Sequence, residues 1–482
     1  MTESADRPAT GRAEGENLSA EPQGRVTDAV VIGGGPAGEV AAGRLADRGL
    51  DTVLVEAELV GGECSYWGCI PSKTLVRPGD VLASARRVPG AATAISGPVD
   101  VVAALARRDY MTSSWNDSGQ ERWLADHGVR LVRGAGRLVG ERQVAVDGGS
   151  PIRARRAVVL ATGSSAVVPP VPGLTEVRPW DNRSATAAKE LPARLLVLGG
   201  GAVGLELAQA FHRLGSAEVT VVEGLPRLLP REEPFAGEQV LEALTREGIG
   251  VRVDTLLAAV RRDGTDGPVR ASLADGEEIV ADEILVATGR RPRTADLGLE
   301  TVGLSPGRPV QVDDRLRAVG VPGEWLYAIG DCTGLAPFTH MGKYQARVAA
   351  DVITGRDAWD RASRDVVPRV TFTDPQVCGV GLTAAEATER GMAVRVVDVA
   401  TGEVPGSYVL GEDMEGTTRL VVDERRGVLV GMTITGSGVQ ELLHAATVAV
   451  AAQVPLAELW HAVPVFPTVA EVWLHALEAA GF

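Results

Sequence analysis

Two segments of this chain are nearly the same sentence written twice. Residues 29–56 read AVVIGGGPAGEVAAGRLADRGLDTVLVE, and residues 195–223 read LLVLGGGAVGLELAQAFHRLGSAEVTVVE. Each has an apolar run, a Gly-rich turn, an Ala-rich stretch of helical spacing and a second apolar run ending in Glu. That is a β-α-β unit. The copies begin at residues 29 and 195, too far apart for any solenoid repeat. Two nucleotide-binding domains fit instead. A second echo follows, AVVLATGS at 157–164 and ILVATGR at 284–290, each a buried strand entering a Thr-Gly turn. The run LYAIGDC at 326–332 reads as a further strand, ending in Gly330 and Asp331. After about residue 366 the pattern becomes strands with two helices and no Gly-rich turn. This predicts a separate α+β domain with apolar surface to bury against a second subunit.

At 482 residues the chain is too long for one core. Its formal net charge of −15 disfavours nucleic-acid binding. No apolar run reaches the length of a membrane span. Residues 1–26 are polar and lack the apolar core of a signal peptide, so they read as a disordered tail and the expected location is cytoplasmic. The four cysteines, Cys64, Cys69, Cys332 and Cys378, do not make a metal-ligand set. A close pair in such a compartment points to a catalytic or metal-binding role rather than a structural disulfide, and with zinc discounted the catalytic one is favoured.

Gly33, Gly35 and Gly38 form G-x-G-x-x-G directly after a strand, with Pro36 and Ala37 in the turn. In this pattern the first Gly makes the turn, the second admits a diphosphate and the third packs helix on strand. The helix N-terminus adds partial positive charge. Glu56 stands where a carboxylate accepts from a ribose hydroxyl. The second copy uses Gly199, Gly201 and Gly204 with Ala202 and Val203 between them, and Glu223 as its acid. A 2′-phosphate would be repelled by Glu223, so NAD(H) is favoured over NADP(H). Arg227, four residues on, softens that preference.

Residues 61–73 read GGECSYWGCIPSK. Cysteines spaced C-x4-C do not face each other on a regular helix. A loop or distorted helix start must bring them together, and Gly61, Gly62 and Gly68 give the backbone freedom to do so. A helix N-terminus also favours thiolate.

This run resembles the GGTCxxxGCxPSK signature of the pyridine nucleotide-disulfide oxidoreductases, a family that includes dihydrolipoamide dehydrogenase, glutathione reductase, mycothione reductase and mercuric reductase. The likeness extends from about residue 27 to 482 and takes in both Gly fingerprints, both ATG turns, the Gly-Asp strand and VTFTDPQVCGVGLT at 370–383. It implies an α/β fold with two Rossmann-like FAD/NAD(P)-binding domains and a C-terminal α+β dimerisation domain. The implied division is an FAD-binding domain at 27–166 and 291–365, an NAD(P)-binding domain at 167–290 and a dimerisation domain at 366–482. The first fingerprint would bind FAD with Glu56 on its ribose, aided by Gly62, Thr162, Gly163, Gly330 and Asp331. The second fingerprint, with Gly289, would bind the nicotinamide nucleotide. Cys69 would be the flavin-side cysteine and Cys64 the interchange thiol. Lys73 and Glu206 would form an ion pair beside the flavin, and Glu471 would serve the site of the other subunit of a homodimer.

The resemblance breaks in the C-terminal motif. The family closes with H-P-T-x-x-E, whereas this chain has Phe466-Pro467-Thr468-Val469-Ala470-Glu471. Phenylalanine cannot transfer a proton, so the usual acid–base partner of the leaving thiol is missing. His461, His475 and His444 lie nearby but read as surface, interface or structural residues. His340 or Tyr344 could face the substrate side. The Phe466–Pro467 bond is expected to be cis. The leading expectation is electron flow from NADH, or NADPH, through FAD and the cysteine pair to a disulfide or related acceptor. Direct reduction of a quinone or metal ion is the alternative. A nucleotide-responsive flavin-binding protein with negligible turnover is the reading from another class.

Overall fold

The computed structural model describes residues 25–265 and 267–482. Most of the expected tail, residues 1–24, lies outside them, and its last residue is corrected: Val26 already belongs to the first strand.

The first unit is built on β1 (Val26–Ile32), α1 (Pro36–Asp47) and β2 (Thr52–Glu56). It continues through α2 (Gly62–Tyr66), α3 (Cys69–Arg86), β3 (Arg130–Arg133), β4 (Gly136–Gly140), β5 (Gln143–Val146) and β6 (Ile152–Leu160). Its sheet runs β3-β2-β1-β6-β5-β4. The pairs among β3, β2, β1 and β6 are parallel, while β5 pairs antiparallel with its neighbours. Val30, Val31, Leu54, Val158 and Val159 are fully buried, as expected of parallel strands covered on both faces.

From β6 the chain crosses through β7 (Ser164–Ala166) and α4 (Asn182–Ala187) into a second unit. That unit contains β8 (Arg194–Leu198), α5 (Ala202–Leu214), β9 (Glu218–Val222), α6 (Pro234–Arg246) and β10 (Gly250–Arg252). A hairpin sheet follows, of β11 (Leu257–Arg262), β12 (Val269–Leu273) and β13 (Glu278–Ala281), and then β14 (Glu283–Val286). The parallel sheet is β10-β9-β8-β14. The chain returns along β15 (Arg290–Pro292), which pairs antiparallel with β7, so entry and exit form one narrow crossover.

β16 (Leu326–Ala328) then pairs parallel with β6, and α7 (Thr339–Ile353) packs on the first unit. Leu316, Trp325, Ile329, Ala346 and Ile353 share one core with Val30 and Val158, so these residues complete the first unit. The last unit is an antiparallel sheet of β17 (Arg369–Thr371), β18 (Gln376–Gly381), β19 (Val394–Ala400), β20 (Thr417–Asp423) and β21 (Val428–Gly436), in the order β17-β18-β21-β20-β19. Helices α8 (Leu443–Ala451) and α9 (Val472–Ala479) cover its core. No helix among the described residues is long and apolar enough to cross a membrane. The Phe466–Pro467 bond is cis.

One helix contact sets the geometry of the centre. At Gly79 in α3 a Cβ would lie 2.7 Å from the Cβ of Arg213 in α5, so only glycine permits this approach. Leu75 and Leu214 are buried together alongside it. The closeness of α3 and α5 lets a side chain of one unit reach a carboxylate of the other.

Candidate functional site

The two glycine turns have the same construction. A Cβ at Gly33 would lie 2.4 Å from the Ala161 carbonyl oxygen, and one at Gly38 would lie 1.8 Å from the Gly33 oxygen. Gly199 and Gly204 meet Ala287 and Gly199 in the same way. The middle residues Gly35 and Gly201 differ, because a Cβ there would meet nothing within 4 Å. Neither α1 nor α5 has a side-chain cap, and Gly35 and Gly201 are their N-caps. Free helix N–H groups facing open space suit a diphosphate. The residues therefore fit the dinucleotides implied by the sequence.

The two acids are engaged as well. Glu56 accepts from the backbone N–H of Gly34 at 2.5 Å and of Glu58 at 2.7 Å. Glu223 accepts from Gly200 at 2.6 Å and Leu225 at 2.8 Å. Each carboxylate thus braces its own turn, and an ionised carboxylate retains capacity for a ribose hydroxyl.

Two cavities meet at the centre. The smaller, about 120 Å³, is bordered by Gly33, Gly35, Pro36, Ala37, Glu56 and Gly62 on one side. Thr162, Gly163, Gly330 and Asp331 border the other. The larger, about 1400 Å³, is lined by Cys64, Cys69, Lys73, Val203 and Glu206 among mostly apolar neighbours. Cys64, Asp331 and Thr339 border both. Gly199, Gly201, Ala202, Gly204, Glu223 and Gly289 border neither, and Gly38 is packed beneath its own turn.

The cysteines are held by the break between α2 and α3. Cys64 lies in α2, Trp67 and Gly68 leave helical geometry, and Cys69 opens α3. Both thiols are free in this structure. The neighbouring Cys64 thiol, first of all, pulls the Cys69 thiol down to about 6. A contact with Thr339 Oγ1 at 3.4 Å and the charge of Lys73 act in the same direction, against burial. The Cys64 thiol is pushed the other way by the neighbouring Cys69 and by burial. Thiolate therefore gathers on Cys69, whose exposed side faces the cavity.

Lys73 Nζ lies 2.5 Å from Glu206 Oε2, so the ion pair expected from the resemblance is present. The other oxygen of Glu206 accepts from the backbone N–H of Phe372 at 2.9 Å. Among the histidines, His340 lines the large cavity and its ring nitrogen meets the Pro368 carbonyl at 2.9 Å. Burial holds its pKa below the ordinary value. Tyr344 does not border the cavity, because its hydroxyl accepts from the Arg361 N–H. His444 is solvent-exposed, correcting the structural reading. Phe466 is 69% exposed, and Glu471 is buried with Oε2 unpartnered. Glu471 borders neither cavity of its own chain.

The sequence reading passed over Thr339, Phe372 and Glu63. Glu63 stands at the Thr position of GGTC, and that mismatch was its available signal. Among the described residues, no group of three or more His, Cys, Asp or Glu is placed to hold a metal ion.

Comparison with known proteins agrees with this geometry. The family model described as pyridine nucleotide-disulphide oxidoreductase matches residues 27–351, and that family's dimerisation-domain model matches residues 367–477. A dihydrolipoyl dehydrogenase of Thermus scotoductus is 35% identical over 459 residues, which is 94% of this chain and 97% of that protein. A mercuric reductase of Streptomyces lividans is 34% identical over 450 residues, covering 90% and 92%. Among solved structures, a Cu(II) complex of the HOCl-induced flavoprotein disulfide reductase RclA from Escherichia coli superposes with a TM-score of 0.82 at 26% identity, covering 94% of this chain and 99% of that one. This chain, with its two dinucleotide turns and its paired cysteines, belongs to the pyridine nucleotide-disulphide oxidoreductase family and is an FAD-dependent oxidoreductase.

Proposed function

We propose that the enzyme carries electrons from NADH to the Cys64–Cys69 pair and then to a disulfide acceptor, acting as a cytoplasmic homodimer. One observation carries this reading: the sulfur pair and the Lys73–Glu206 ion pair open onto the same cavity. Bound FAD supplies the two-electron link between nicotinamide and sulfur. Around it, the Gly33–Gly38 turn would hold the diphosphate while Glu56 orients the ribose. Asp331, fixed by the Ser164 hydroxyl at 2.5 Å, would meet the ribityl side. Lys73, fixed by Glu206, would face the edge that receives hydride. Cys69 would hold negative charge toward the flavin, leaving Cys64 to attack the acceptor. The domain boundaries at about 166, 290 and 366 belong to the same proposal.

The preference for NADH is supported by Arg227. Its guanidinium donates to the carbonyls of Pro230 at 2.6 Å and Glu232 at 2.9 Å, so it is committed to its own loop. Glu223 is left as the charged group at the ribose position. With Phe466 in place of histidine, the acceptor is one whose reduction proceeds without an imidazole at that position.

Anaerobic titration with NADH tests the reading. A long-wavelength thiolate–flavin absorbance should appear, and Cys69→Ser should abolish it. Persistence of the band in that variant would remove Cys69 from its role.

A further inference from the structure

Glu63 stands beside Cys64, in the wall shared by the two cavities. Its Oε2 accepts from Asn182 Nδ2 at 2.9 Å, and Oε1 accepts from Arg293 Nη2 at 2.9 Å and from Arg183 Nε. Arg290 Nη2 lies 3.8 Å away. Three guanidiniums thus surround a carboxylate whose side chain is 23% exposed. Their charge is balanced locally, because Arg183 also binds Glu58 and Arg290 reaches toward Asp331 through Ser164.

These donors come from one place. Asn182 and Arg183 begin α4, Arg290 opens β15 and Arg293 follows it. All belong to the crossover between the two nucleotide-binding units. From there the contacts continue: Arg290 donates to Asn182 Oδ1 at 2.9 Å and to Ser164 Oγ at 2.8 Å, and Ser164 donates to Asp331. The far end of the cysteine loop is tied to the same helix. The Trp67 carbonyl accepts from Asn182 Nδ2 at 3.0 Å and Thr186 Oγ1 at 3.1 Å, and the Trp67 ring lies 4.1 Å from the Arg183 guanidinium. An isolated surface ion pair would carry little weight. A part-buried network sharing one acceptor is different, since its loss leaves several donors unsatisfied at once.

We propose that Glu63 is a positioning residue that fastens the cysteine-bearing loop to the crossover and so fixes the sulfur pair against the flavin site. The proposal rests on the sulfur–flavin reading above, and it assigns no chemistry to Glu63 itself.

The test uses FAD-loaded wild type, Glu63→Ala and Glu63→Gln. Amide exchange over residues 62–69 should rise by about tenfold or more in Glu63→Ala, the scale expected for losing charge-assisted hydrogen bonds. The long-wavelength absorbance of the two-electron-reduced enzyme should weaken. Turnover with a disulfide should fall more than turnover with a dye that takes electrons from flavin directly. Glu63→Gln, which keeps an acceptor for Asn182, should lie between. Wild-type exchange and absorbance in Glu63→Ala would overturn the proposal. If Glu63→Ala fails to fold, Asn182→Ala decides, because it removes contacts to both ends of the loop; unchanged exchange there would also overturn it. Absence of the band from wild type would count against the sulfur–flavin reading alone, and the exchange rates would still decide the role of Glu63.

Discussion

Lys73 Nζ and Glu206 Oε2 are 2.5 Å apart, although 133 residues separate them in the chain. The pair is unequal. The Glu206 side chain is 4% exposed, whereas that of Lys73 is 36% exposed. Removing Lys73 strands a buried carboxylate, while removing Glu206 leaves an ammonium that water can reach. Lys73→Met should therefore destabilise the holoenzyme more than Glu206→Gln, by about 2 kcal/mol after allowing for the exposed lysine. Denaturant unfolding of the two variants measures the difference. Either change should slow flavin reduction by NADH by about ten- to a hundredfold, read by stopped flow.

The acidity of the sulfur pair gives a pH prediction. With its pKa drawn down to about 6, Cys69 is thiolate above that pH and thiol below it. In the reduced enzyme the long-wavelength band should be full at neutral pH and fade as pH falls through about 6. The first cause is the neighbouring Cys64 thiol, so Cys64→Ala should move the midpoint upward by roughly one to two units. Cys64→Ser keeps a donor and should move it less. Spectrophotometric titration of the three proteins distinguishes these outcomes.

Coenzyme choice is tested by rates. If Glu223 stands at the ribose as proposed, a 2′-phosphate would meet its charge, and the Arg227 guanidinium is occupied by the Pro230 and Glu232 carbonyls. The kcat/KM for NADH should exceed that for NADPH by on the order of tenfold or more, and Glu223→Ala should narrow the gap. A wild-type preference for NADPH would contradict the assignment.

The C-terminal unit predicts its own partner. Val463, Val465, Phe466, Tyr408 and Val409 are each at least 66% exposed, although apolar or aromatic. A chain with that surface should sediment as a dimer. Val465→Asp should shift it toward monomer. If Glu471 serves the opposite subunit, disulfide-linked turnover should fall with the dimer fraction while flavin stays bound. A wild-type monomer would rule this out.

The glycine turns were legible because a diphosphate turn is local chemistry: a few residues fix a backbone that tolerates no Cβ at Gly33 or Gly38. Glu56 and Glu223 were legible for the same reason. The roles expected of Cys64, Cys69 and Lys73 came only from the resemblance, since spacing alone left two cysteines that need not meet, and they belong to the proposed function. The partners of Glu63 were not legible, because Asn182 in α4 and Arg293 after β15 stand 119 and 230 residues away. The choice between His340 and Tyr344 for the cavity was left to the fold, because helix position alone does not say which way a ring turns; His340 lines it and Tyr344 does not.

The amino-acid order therefore determined the repeated β-α-β units, the cofactor class they accept and the break that sets two cysteines at a helix start. Each depends on neighbours in sequence, where backbone sterics and periodicity act. Only the folded chain brought Lys73 to Glu206 across 133 residues and gathered Asn182, Arg183 and Arg293 around Glu63. Those outcomes depend on distances of a few ångströms between remote segments, and electrostatics and hydrogen bonding at that range are set by packing.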